Sequence, residues 1–145
     1  MSGRRPRLFD LFSDFQGSVF ASVYKKITQS EKIVVRRLDD FCLENQISHI
    51  DLLKVDVEGG ELGVLTGARQ MLDSQSIDFV QFEFGGRDID ARVFFRDFFT
   101  LLNPGYRIYR ILRDGLAPVE TYKETHEVFL TTNYMAVSRN LPVEI

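Results

Sequence analysis

The run from Ile50 to Val57, closed by Glu58-Gly59-Gly60-Glu61, constrains this chain more than any other segment. It is nearly continuous in apolar residues, too short for a typical helix, and ends on two glycines. That pattern predicts a strand buried on both faces. Leu62, Leu65, Ala68 and Leu72 follow at helical spacing, so a helix packs its apolar stripe directly after the strand.

The same grammar repeats downstream. Ile77 to Phe84 reads as a second buried strand stopped by Gly85-Gly86, and Ala91 to Leu102 as a helix with Phe94, Phe95, Phe98, Phe99 and Leu102 on its apolar face. Asn103-Pro104-Gly105 ends that helix. Tyr106 to Leu112 and Asn133 to Ser138 read as strands, with a turn at Asp114-Gly115. Strands alternating with helices imply parallel pairing through right-handed crossovers, hence an α/β sheet. The last two strands, with no helix between them, are expected as an antiparallel hairpin at the sheet edge. Upstream, Ile33 to Val35 suggests a strand, and Asp39 and Asp40 are N-cap candidates for a short helix through Glu44. Residues 1–30 show no clean period. They read as an irregular segment, the tail of an insert, with a short helix near Phe9 to Phe15.

Composition narrows the classes of function. The chain has 145 residues, 44% of them hydrophobic, enough for one core or part of one. Its net charge of −3 with interspersed signs argues against a nucleic-acid partner, which calls for a basic stripe. Cys42 is the only cysteine, so an internal disulfide is excluded, and His49 and His126 stand too far apart in sequence to suggest a zinc site; no metal is expected. No apolar run is long enough to span a bilayer, and no secretory signal is seen. The expected setting is cytoplasmic, without a membrane partner.

The chemistry concentrates where the first strand ends. Ligands of open α/β sheets bind beyond the carboxyl ends of the strands. Alternation places Lys54, Asp56 and Glu58 on one face, near that rim. Lys54 within a buried strand demands a partner, and Asp56 or Glu83 can supply it. For Asp56 and Glu58 two readings stand: capping of the following helix, or lining of a site. His49 lies at the opposite end of the strand, and His126 in a polar connection.

The run LLKVDVEGGELGVLTGA, Leu52 to Ala68, resembles the signature of the FkbM-type methyltransferase family. Arg37-Leu38-Asp39-Asp40-Phe41 is similar to its LDDF element, Ile77 to Phe84 ends in QFEF as expected of the next strand, and Gly105 to Ile111 and Asn133 to Ala136 resemble its closing strands. Several elements in order over residues 33–138 are far more specific than one motif. The resemblance implies a class I, Rossmann-like methyltransferase fold that binds S-adenosylmethionine at the carboxyl edge of a seven-stranded sheet, and O-methylation of a hydroxyl on a sugar or secondary metabolite. It places Asp56 at the end of the fourth strand as the base that takes the hydroxyl proton. It also places Glu58 and Glu83 in the wall of the small-molecule acceptor pocket.

No G-x-G turn preceded by a strand stands upstream of Asp51, so the cofactor-binding residues are unassigned. Residues 31–145 are therefore expected to be a partial methyltransferase domain, the C-terminal half of a sheet ordered 3-2-1-4-5-7-6. The run 50–57 then becomes an exposed edge. It would pair with a second copy or with a separate N-terminal half. The alternative is a non-catalytic, methyltransferase-like binding or assembly module.

Overall fold

The computed structural model describes residues 34–142. The proposed strand at Ile33 falls partly outside them; Val34 and Val35 lie in irregular backbone, and the helix near Phe9 lies outside altogether. The described chain forms helix α1 (Leu38–Glu44), strand β1 (Ile50–Val55), helices α2 (Glu61–Gly67) and α3 (Arg69–Asp73) and strand β2 (Ile77–Phe84). Helices α4 (Gly86–Ala91) and α5 (Phe95–Leu102) follow, then strands β3 (Tyr106–Leu112), β4 (Gly115–Pro118) and β5 (Thr132–Ser138). A 3-10 turn at Glu124–His126 lies between the last two strands. None of the described helices is long and apolar enough to cross a membrane.

Five strands make one mixed sheet in the order β1-β2-β5-β3-β4. β1 and β2 are parallel, with Val55 beside Phe82. β5 runs antiparallel to both of its neighbours, pairing Phe82 with Tyr134 and Ile108 with Ala136. The last two predicted strands are thus antiparallel, but they do not form an edge hairpin. β5 enters the sheet between β2 and β3, and the edge hairpin is β3–β4, with Leu112 opposite Gly115. The reason is burial: Tyr134, Ala136 and Val137 are all at most 4% exposed, which needs a neighbour on each side and cover on both faces.

One face of the sheet carries Val55, Val80, Phe82, Phe84, Ile108, Tyr134 and Ala136, and the helices pack on it. Phe98 of α5 stacks on Phe82 with ring centroids 4.9 Å apart, and Phe95 lies 4.5 Å from Tyr134. The phenylalanines of 94–99 divide as a helical period requires. Phe95 and Phe98 are buried, whereas Phe94 at the helix entrance is exposed. The helix expected over 91–102 starts only at Phe95; Ala91 is instead the last residue of a separate helix, α4, which ends where Arg92 takes a left-handed conformation (φ 57°). The stripe 62–72 is split at Ala68, where φ −102° and ψ 15° interrupt the helix while Leu65, Ala68 and Leu72 stay buried.

Asp39 does not cap its own helix. α1 starts at Leu38, and the buried Asp39 carboxylate instead accepts the N–H groups of Gln70 (2.9 Å) and Met71 (3.1 Å) at the start of α3. A remote carboxylate thereby satisfies two donors that the first turn of a helix leaves open. β1 also departs from expectation. It ends at Val55, the one residue of the strand that is buried; Ile50 and Leu53 are half-buried, Leu52 is 54% exposed, and Asp51 and Lys54 face solvent. Among the described residues β1 has a partner on one side only, so it is a strand of the sheet margin rather than its centre.

Candidate functional site

β1, β2 and β3 all run toward the same edge, and β5 starts from it. There they enclose a cleft of about 460 Å³ lined by Lys54, Asp56, Gln81, Glu83, Arg110 and Asn133, together with Ile111, Leu112, Thr131 and Thr132. The wall is mostly polar, and its charged groups come from three different strands or their ends.

Asp56 stands one residue past β1. Its Oδ2 accepts from Lys54 Nζ at 3.1 Å, and both side chains are more than half exposed. Lys54 therefore has the carboxylate partner that its position called for, but in solvent rather than in a dry strand. Glu83 lies on β2 directly opposite Asn133 of β5. Its carboxyl is pushed up from the ordinary range, first by burial, then by the negative charge of Asp56, Glu61 and Glu58, with Lys54 working in the other direction. The fold thus brings Asp56 and Glu83 to one cleft.

Glu58 goes elsewhere. Strand alternation does not reach it, because the backbone turns after Val55 and Glu58 adopts a left-handed conformation (φ 57°). Its Oε2 accepts from Arg87 Nε at 3.1 Å, and it is not among the residues lining the cleft. Gly59 follows with φ +103°, and a Cβ built there would stand 3.2 Å from Arg87 Cβ and from the Arg87 carbonyl oxygen. Both the backbone angle and the approach of Arg87 select glycine at this turn.

Two buried carboxylates that sequence reading did not single out shape the rim. Glu61 is 3% exposed and accepts the Val57 N–H at 2.9 Å and the Gly59 N–H at 2.8 Å, so it fixes the loop that presents Asp56. The signal was available: a carboxylate at the first turn of a helix that follows two glycines is placed to take loop N–H groups. Asp88 is 2% exposed and accepts the Gly85 N–H at 2.8 Å, while its Oδ1 has no partner. Burial raises its carboxyl to about 6, with the Gly85 N–H bond opposing the shift and the charges of Glu61 and Glu83 adding to it. Nothing local in the sequence distinguishes Asp88 from its exposed neighbour Asp90.

Cys42 is a buried member of the core, and burial, reinforced by Asp39, holds its thiol above the ordinary value. His126 donates nothing to the cleft; its Nδ1 accepts the Lys123 N–H at 3.0 Å, and burial lowers its pKa. His49 lies at the other end of β1, bonded to Asp78 at 3.1 Å.

What the cleft can do is hold a hydroxyl or polyol between hydrogen-bonding groups and take up a proton. The donor set does not fit a whole adenosyl cofactor: among the described residues the glycine pairs that follow β1 and β2 are Gly59-Gly60 and Gly85-Gly86, and neither has the G-x-G spacing of a dinucleotide-type turn.

Residues 2–108 match the family described as the methyltransferase FkbM domain. The match extends upstream of residue 33 and ends within β3. Comparison with curated proteins and with solved structures gave no match.

Proposed function

Because this chain belongs to the FkbM methyltransferase family, we propose that its cleft receives the hydroxyl-bearing acceptor of an S-adenosylmethionine-dependent O-methyl transfer, to a sugar or another polar metabolite. The carrying observation is the pair of carboxylates, Asp56 and Glu83, in one polar cleft at the carboxyl ends of parallel strands. The order β1-β2-β5-β3, with only β5 reversed among these four, supports the finer class I reading, since it corresponds to strands 4-5-7-6 of that sheet.

When bound, S-adenosylmethionine supplies an electrophilic methyl group; residues beyond those described must hold its adenosine. The described residues serve the acceptor. Gln81 and Asn133, which are 3.4 Å apart, present amides to its hydroxyls. Asp56 accepts the hydrogen bond of the reacting hydroxyl, orients its oxygen and takes its proton. Glu58, held by Arg87, acts on the acceptor through the loop it shares with Asp56. A second reading exchanges the roles of the two cleft carboxylates. Lys54 already engages Asp56, whereas the raised Glu83 is the stronger proton acceptor once ionised.

The same reading makes β1 an association edge, with Leu52 exposed on the margin of the sheet. A second copy of the chain or a separate cofactor-binding half would complete the sheet there. Sedimentation tests this point, and a monomer over the micromolar range would remove the homodimer.

Calorimetric titration with S-adenosylmethionine, followed by methyl transfer from labelled cofactor to a panel of sugars, tests the activity. Binding with turnover supports the enzyme. Absence of binding at millimolar cofactor rejects autonomous catalysis and favours a non-catalytic binding or assembly module. Where turnover occurs, Asp56→Asn and Glu83→Gln assign the base, since loss of turnover with retained cofactor affinity identifies the carboxylate that takes the proton.

A further inference from the structure

The amino ends of β1 and β2 carry a cluster that the cleft does not use. His49 precedes β1, Asp51 is the second residue of β1, and Asp78 the second residue of β2. The parallel register sets Ile50 beside Ile77 and Leu52 beside Phe79, and so Asp51 beside Asp78. His49 is two residues before Asp51 and returns to the same side of the ladder. His49 Nε2 lies 3.1 Å from Asp78 Oδ2 and 4.0 Å from Asp51 Oδ1, and one donor atom from each residue falls within 4.8 Å of the others.

From this geometry we propose a second site, independent of the methyl-transfer reading: a divalent first-row transition ion of the Zn²⁺ type bound by His49, Asp51 and Asp78. Three arguments converge. Ligand atoms on one tetrahedral zinc stand about 3.3 Å apart, so side-chain rotations of roughly an ångström close the observed set on an ion. An imidazole among the donors favours zinc, cobalt or nickel over calcium and magnesium, which prefer oxygen alone. Finally, two carboxylates opposite each other on neighbouring strands repel. The His49–Asp78 bond leaves Asp51, 97% exposed, without a hydrogen bond to any described residue. A shared cation satisfies both carboxylates and staples the marginal β1 to β2. The second histidine that a sequence search for zinc ligands demands is replaced by a carboxylate from the neighbouring strand. The ion lies roughly 15 Å from the cleft by strand rise, so its role is to hold the sheet margin rather than to act on the acceptor.

The test is a metal titration of chelator-treated protein, read by thermal unfolding and by the visible spectrum of Co²⁺. Micromolar Zn²⁺ should raise Tm by several degrees, and Co²⁺ should develop an absorption band. His49→Ala and Asp51→Asn, both solvent-facing substitutions, should each weaken the apparent affinity at least tenfold, while His126→Ala leaves it unchanged. An equal Zn²⁺ response in His49→Ala and the parent, no response in the parent, or an equal response to Mg²⁺ would each overturn the proposal.

Discussion

The Glu127 carboxylate receives the backbone N–H of Phe95 at 2.7 Å across 32 residues of sequence. Its other oxygen takes the Arg96 N–H at 3.0 Å and the Tyr122 hydroxyl at 2.8 Å. A residue of the β4–β5 connection thus caps helix α5 and ties that connection to the helix carrying Phe98. The same hydrogen bond raises the Tyr122 hydroxyl above its ordinary range.

Removing that cap should cost about 1–2 kcal/mol, the usual worth of a helix N-cap. Glu127→Ala should lower the urea midpoint at unchanged m value, and Glu127→Gln, which keeps a carbonyl acceptor, should lose less. Equal midpoints for the parent and Glu127→Ala would show that α5 does not depend on this carboxylate.

Glu61 faces a harder substitution. Glu61→Ala leaves the Val57 and Gly59 N–H groups without their acceptor in a buried setting, and each such loss costs about 1–3 kcal/mol. Hydrogen exchange of these two amides should accelerate in Glu61→Ala well beyond any change in the amides of α5. If methyl transfer is detected, its rate should fall in the same variant, because the loop positions Asp56.

Asp88 makes stability depend on pH in a direction opposite to that of a salt-bridged carboxylate. Its folded value of about 6 lies above the ordinary 3.8. Between these values the folded state alone holds the proton, so acidification through this window stabilises the fold. Above about 6 both states are ionised and the folded state carries the full cost of a buried charge, on the order of 3 kcal/mol. Asp88→Asn keeps a carbonyl for the Gly85 N–H and removes the charge. It should therefore be more stable than the parent at pH 7.5, with the gap closing as pH falls from 6 to 4. A gap constant over this range would reject the assignment.

Gly85 should not tolerate a side chain. Its backbone is extended (φ −177°, ψ −151°), so the constraint is contact and not conformation. A Cβ there would meet Thr131 Cα at 2.9 Å and the Thr131 N at 3.0 Å, which are backbone atoms unable to rotate away. Gly85→Ala should destabilise by about 1–3 kcal/mol. It should also disturb the cleft, which Thr131 lines. Denaturant unfolding beside Gly86→Ala, whose Cβ approaches the Phe129 carbonyl oxygen only to 3.7 Å, provides the comparison.

Local pattern was enough for some features and not for others. The strand Ile77–Phe84 and the burial of Phe95, Phe98, Leu65 and Leu72 follow from periodicity, because a side chain's direction along one element depends only on its own backbone. The family could be read from Leu52 to Ala68 for the same reason: the strand, glycine turn and helix lie within one short stretch. The tertiary structure decided which elements are neighbours. It inserted β5 between β2 and β3, set Glu83 beside Asp56 in one cleft, and drew Glu58 away to Arg87. It also assigned Asp39 and Glu127 to helices 31 and 32 residues away and brought His49 to Asp78. Burial patterns state that a face must be covered, but not by what. Carboxylates 20 to 30 residues apart acquire mutual repulsion and raised pKa values only once the sheet order has set the distances between them.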